Sequence, residues 1–173
     1  MVETSGFENR HAERHREFES PPLRMRKTIK LSWYQIQKLA RQLASQIRTR
    51  RFRPDCIIGI TVSGLIPLVL LAGEFKTKDV AAISARPYSK RRQGKLKITA
   101  LPKINLRGKK VLLVDEIADR GTTLRHISGI FKRKYGAGTV KTAALVVNKK
   151  NCVFIPDFHV LEVDQWIVFP WDA

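Results

Sequence analysis

The sequence predicts an α/β protein with a central, mostly parallel sheet flanked by helices, and three observations carry that prediction. Apolar runs of strand length at 56–60, 80–85, 111–114 and 139–148 are separated by segments with helical periodicity. Several of these runs are continuous rather than alternating, which suits strands covered on both faces. Two of them, 56–60 and 111–114, pass through a short glycine-containing turn into a helical segment, the unit from which parallel sheets are built.

The elements follow in chain order. Residues 1–27 mix Arg, Glu and His with Pro21-Pro22 and few large apolar side chains; they read as a mobile tail ahead of a single domain over 28–173. Ser32 is an N-cap for a helix in which Ile36, Leu39, Ala40, Leu43 and Ile47 form one face and Lys38, Arg41, Gln42 and Gln46 the other, ending near Arg51. Pro54-Asp55 introduces the strand 56–60, and Thr61-Val62-Ser63-Gly64-Leu65 turns it into an apolar helix from about Pro67. After the strand 80–85, residues 86–104 are too long and too charged for a tight connection, which marks them as functional or unstructured; a basic lid over a site is the sharper expectation. The strand 111–114 then leads into a helix over 122–135, closed by Gly136 and Gly138, and 139–148 is a further strand.

A chain of 173 residues fits one domain with a sizeable core. Cys56 and Cys152 lie far apart, without metal-ligand spacing and too few for a disulfide framework, as expected of a reducing cytoplasm. No apolar run approaches the roughly 18 residues of a membrane helix, so no membrane partner is expected. The formal charge of +18 points to a polyanionic partner, either nucleic acid or a highly phosphorylated small molecule. That charge is uneven: Arg86 to Lys110 holds ten basic residues and no acid, whereas Met1 to Lys30 holds seven basic and five acidic residues.

The chemistry concentrates after residue 114. Asp115 and Glu116 are adjacent carboxylates at the carboxyl end of a strand, the edge where open α/β sheets bind ligands. Asp119 follows, and then Arg120-Gly121-Thr122-Thr123. Gly121 can take backbone angles that other residues avoid, and the threonines open a helix whose free N–H groups suit a phosphate. Acids for sugar hydroxyls thus precede donors for a phosphate.

This order of four apolar residues, two acids, two small or apolar residues, Asp, a glycine turn and Thr resembles the phosphoribosyl pyrophosphate (PRPP) signature of the type I phosphoribosyltransferases. Glu116 stands where Asp is commoner, and Arg120 where Thr is usual. The resemblance spans about residues 30–173 and implies the type I phosphoribosyltransferase fold, with a small C-terminal hood over about 150–173. It places ribose hydroxyls on Asp115 and Glu116, directly or through the waters of a Mg2+ ion, and the 5-phosphate over Asp119, Arg120, Gly121, Thr122 and Thr123. It gives pyrophosphate to the turn Val62-Ser63-Gly64; the basic lid is expected to meet the charge gained by the leaving pyrophosphate and to keep water out, through Arg91, Arg92, Lys95 or Lys97. Family members often carry a basic residue and sometimes a cis peptide in that turn; Val62 leaves the charge to the lid. Asp119 is the implied catalytic residue, exchanging a proton at purine N7 while N9 attacks sugar C1.

The segment Asp164-Gln165-Trp166-Ile167-Val168-Phe169-Pro170-Trp171-Asp172 resembles the tail of the xanthine-guanine phosphoribosyltransferases. An aromatic face stacks on any purine. The resemblance puts Trp166 on the base, the Ile167 backbone on its Watson-Crick edge and Lys149 at the 6-oxo group, with Lys150 one register away. The implied function is purine salvage from PRPP and guanine, xanthine or hypoxanthine, by a homodimer or homotetramer. The alternatives are a nucleic-acid-binding regulator that uses PRPP as effector, and an enzyme for adenine, uracil or orotate. An interaction module without catalysis fits the acidic set poorly.

Overall fold

The computed structural model describes residues 28–87 and 96–172. The tail at 1–27 and the lid residues Arg91, Arg92 and Lys95 lie outside them. The chain runs β1 (Thr28–Lys30), α1 (Trp33–Thr49), β2 (Cys56–Thr61), α2 (Leu65–Phe75), β3 (Val80–Pro87), β4 (Leu96–Ala100), β5 (Lys110–Ala118), α3 (Thr122–Arg133), β6 (Thr139–Asn148), β7 (Phe158–Val163) and β8 (Trp166–Val168). Six strands form one sheet in the order β4-β3-β2-β5-β6-β7, parallel except for the β3–β4 pair. β1 and β8 form a separate parallel pair.

Local chemistry sets the first helix. The Ser32 Oγ accepts from the Gln35 N–H at 3.3 Å while Gln35 Oε1 accepts from the Ser32 N–H at 2.8 Å, so two otherwise unpaired donors are satisfied at the helix start. The stripe Ile36, Leu39, Ala40, Leu43, Ile47 is buried against α2 and one sheet face bearing Ile57, Leu112 and Val114. On the other face, Leu124, Ile127 and Phe131 of α3 cover Ile58, Val111 and Leu113. Neighbouring residues of β2 and β5 thus point into opposite cores, which is why their sequences are apolar without interruption.

The structure corrects several expected boundaries. α1 ends at Thr49, α2 begins at Leu65 rather than Pro67, and α3 ends at Arg133. β5 does not stop at 114: it continues to Ala118, with Asp115 opposite Ala144 and Ala118 opposite Val147, so the acidic pair sits within the strand. Part of the expected lid is an edge strand. In β4, Leu96 and Ile98 pack on the core while Lys97 and Thr99 face solvent, an alternation that fits an antiparallel edge. β7 joins the main sheet beside β6, so within 150–173 it is β8, paired with β1, that stands apart from that sheet.

Asp157 ties the start of β7 to β6. Its Oδ1 accepts from Lys141 Nζ at 2.7 Å, and its Oδ2 accepts from the Thr142 N–H at 2.8 Å and the Thr142 hydroxyl at 2.9 Å. Burial alone would push its carboxyl up, but the Lys141 ammonium and the two Thr142 donors outweigh it and hold it below the usual range. Asp157→Ala is expected to cost about 2 to 3 kcal/mol in urea denaturation at neutral pH, because the buried Thr142 N–H and hydroxyl lose the acceptor to which they donate. A folded pKa below the unfolded one makes this contribution complete above the ordinary carboxylate range. It is lost as pH falls through the lowered value, so the gap between variant and parent should close in acid.

Candidate active site

Parallel pairing brings the ends of β2, β5 and β6 to one edge of the sheet, Gly59 lying opposite Val114 and Ala118 opposite Val147. The turn after β2 contains a cis peptide between Thr61 and Val62, and it is closed by Leu65 N–H to Val62 O and Ile66 N–H to Ser63 O at 3.1 Å each. Gly64 caps α2 without a side-chain hydrogen bond. A Cβ there would lie 3.1 Å from Asp115 Oδ1 and would overlap the Ile60 carbonyl, so the turn rests directly on the first carboxylate of β5.

Asp115 is held close to its neighbour. Its Oδ1 accepts from the Glu116 N–H at 3.1 Å. Burial pushes the Asp115 carboxyl well above the usual range, and the adjoining Glu116 carboxyl adds to that shift. Such a pair is relieved by a cation or by sugar hydroxyls.

The next residues close around a hollow of about 230 Å³ lined by Asp115 and residues 117–124. Gly121 caps α3 at φ +70° and offers no side chain to its first turn, leaving those N–H groups open to a ligand. A Cβ on Gly121 would overlap the Phe154 carbonyl oxygen. The N–H groups of Val153 and Phe154 both donate to Arg120 O, at 3.1 and 3.2 Å, so the segment after β6 is clamped onto this loop. Thr122 and Thr123 lie in the first turn of α3, and Arg120 is exposed.

Asp119 stands at the mouth of the hollow. Its Oδ1 accepts from Asn148 Nδ2 at 2.7 Å and from Asn151 Nδ2 at 3.4 Å. Neither asparagine was among the sequence candidates; nothing local to 148–151 signals a partner 29 residues upstream.

Lys149 follows Asn148. Its N–H donates to Val163 O at 2.7 Å, and its Nζ lies 3.4 Å from Glu162 Oε2, with His159 Nε2 at 2.8 Å from the other oxygen of that carboxylate. The His159 hydrogen bond, followed by that of Lys149, lowers the Glu162 carboxyl. Trp166 begins β8 three residues beyond Val163, with 62% of its surface exposed, whereas the Ile167 side chain is buried. Trp171 packs instead: its ring stacks on Phe169 at 4.7 Å and meets Trp33 at 5.7 Å.

A family model described as a phosphoribosyl transferase domain matches residues 31–173, which takes in every residue of this edge. The chain belongs to the phosphoribosyl transferase family. It is 30% identical over 155 residues to the xanthine-guanine phosphoribosyltransferase of Cereibacter sphaeroides, an alignment covering 84% of this chain and 87% of the relative. It is 31% identical over 144 residues to the enzyme of the same name from Chromohalobacter salexigens, covering 82% of each. Among solved structures, the purine phosphoribosyltransferase from Pyrococcus horikoshii superposes with a TM-score of 0.75 at 32% identity, over 84% of this chain and 94% of that one. The family assignment agrees with the edge at which the acids and the open helix N-terminus are found.

Proposed function

We propose that the protein is a purine salvage enzyme that transfers the 5-phosphoribosyl group from PRPP to N9 of a 6-oxopurine, giving the nucleoside monophosphate and pyrophosphate. The observation that carries this reading is the Asp119 carboxylate, held by Asn148 at adjoining ends of β5 and β6 directly ahead of an uncapped helix N-terminus, with Lys149 next in the chain. The purine phosphoribosyltransferases named above support it.

In this reading the first-turn N–H groups of α3, with Thr122 and Thr123, bind the 5-phosphate, and Arg120 adds charge at the rim. Asp115 and Glu116 hold the ribose hydroxyls. The same two acids fit a Mg2+ ion carried in with PRPP. The described residues bring together no cluster of three metal-binding side chains, and Mg2+ takes most of its ligands from phosphate and water. When bound, the ion offsets the charge that develops on pyrophosphate. The backbone of Val62, Ser63 and Gly64 faces that leaving group, with Arg91, Arg92 and Lys95 assigned to it from the sequence.

The bond from C1 to the pyrophosphate oxygen breaks as C1 bonds to N9, and the electron pair leaves with pyrophosphate. Asp119 takes the proton that the base gives up at N7. Lys149 donates to the 6-oxo group, Trp166 stacks on the ring and the Ile167 backbone meets its edge. A 6-amino group would present a donor to a donor, which discriminates against adenine. Among the described residues no helix is long and apolar enough to cross a membrane. That finding and two free cysteines support a cytoplasmic enzyme, which we expect to be a homodimer or homotetramer.

The test is PRPP- and Mg2+-dependent consumption of guanine, xanthine, hypoxanthine, adenine and uracil, followed by ultraviolet absorbance. Turnover confined to the three 6-oxopurines is expected. Turnover of adenine or uracil alone would remove the role given to Lys149, and PRPP binding without turnover of any base would favour a PRPP-responsive regulator.

A further inference from the structure

We propose that Asn148 is a positioning residue that aims the Asp119 carboxylate and fixes which of its two oxygens meets the base; the proposal rests on Asp119 being the proton acceptor. The placement comes from the backbone. Ala118 and Val147 are paired across β5 and β6, so the residues that follow them, Asp119 just past β5 and Asn148 at the end of β6, are brought alongside each other. Both ends of the Asn148 amide are engaged: Nδ2 donates to Asp119 Oδ1 at 2.7 Å, and its Oδ1 accepts from the N–H groups of Lys150 at 3.1 Å and Asn151 at 3.2 Å. Flipping the amide would set its NH2 against two N–H donors, so the network itself decides the orientation.

An amide nitrogen can only donate, and a second donor, Asn151 Nδ2, approaches the same oxygen at 3.4 Å. Asp119 Oδ1 is therefore kept as an acceptor. The oxygen left to take a proton is Oδ2, for which the described residues supply no hydrogen-bond partner. The N7 proton goes to Oδ2, and the bonds to Oδ1 persist through the transfer. Because Lys149 is the next residue, the same strand end that aims the carboxylate also carries the lysine assigned to the 6-oxo group, whose Nζ lies 3.4 Å from Glu162 Oε2.

The experiment is steady-state kinetics on Asn148→Asp, Asn148→Ala, Asp119→Asn and the Asn148→Asp/Asp119→Asn pair. Asn148→Asp keeps the oxygen that binds Lys150 and Asn151 but sets a second carboxylate beside Asp119, whereas Asn148→Ala deletes the donor without adding charge, so positioning requires a comparable loss in both. We expect kcat to fall on the order of tenfold to a hundredfold in Asn148→Asp with KM for PRPP within about twofold. In the Asp119→Asn background the same change should cost less than about twofold, since the group being aimed is gone. An undiminished loss in the double variant would mean a merely structural role and would overturn the proposal. So would full kcat in either Asn148 variant beside a slow Asp119→Asn. Full kcat in Asp119→Asn itself would remove the proton acceptor, and the proposal would fall with that reading.

Discussion

Asp119→Asn should lower kcat for a 6-oxopurine by about three orders of magnitude, while KM for PRPP changes by no more than a few-fold. The substitution keeps shape, and the new side-chain carbonyl can still accept the hydrogen bond from Asn148 Nδ2 that the carboxylate receives at 2.7 Å. The loop and the helix start behind it are therefore retained, and with them the donors for the 5-phosphate. What disappears is the capacity to take a proton. Positioned proton transfer contributes roughly a hundredfold to ten-thousandfold in general, which sets the scale of the expected loss. Initial rates over a PRPP series at saturating base check it. A kcat within tenfold of the parent would show that proton removal from the base does not depend on this carboxylate.

Gly121→Ala should reduce kcat/KM for PRPP by a hundredfold or more. Two independent costs meet at this position. The backbone sits at φ +70°, where a residue with a Cβ pays on the order of 1–2 kcal/mol. The added methyl would also overlap the Phe154 carbonyl, a backbone atom that cannot swing aside as a side chain would. Relief requires the loop or the 153–154 segment to shift, and both N–H groups of that segment are bonded to Arg120 O. Either movement displaces the first turn of α3 and with it the phosphate donors. Gly73→Ala is the matched control: no atom lies within 4 Å of its added Cβ, its φ is not positive, and it lies inside α2, where alanine is favoured. Kinetics of the two variants, with thermal melts, separate loss of the site from loss of the fold.

Where the sequence was informative, the signal was local. The Ser32 cap, the uninterrupted apolar runs of β2 and β5, and the change from acids to a glycine turn to threonines each express a backbone requirement within a few residues. Signals that depend on a distant partner were not legible. β5 reads as ending before Asp115 because two carboxylates look like a loop; β6 supplies ladder partners as far as Val147, and the strand continues. β4 is masked by Lys97 and the basic residues before it, and its alternation has meaning only against β3. β1 has three residues, too few to announce a strand without β8. Asn148 is an ordinary strand-end residue until pairing sets it beside Asp119. The acids of the site could thus be named in advance, but the groups that hold them could not.

The pairing of β1 with β8 has a bearing on assembly of the base site. Thr28 aligns with Trp166, Ile29 with Ile167 and Lys30 with Val168, so the strand carrying the exposed tryptophan is completed by residues more than 130 positions earlier. Contacts of such separation form against a large loop-closure cost. The phosphate cradle, by contrast, is assembled from residues close in sequence. A chain nicked or shortened between Thr28 and Lys30 should keep its grip on the sugar phosphate and lose its grip on the purine, leaving an enzyme that holds one substrate and ignores the other.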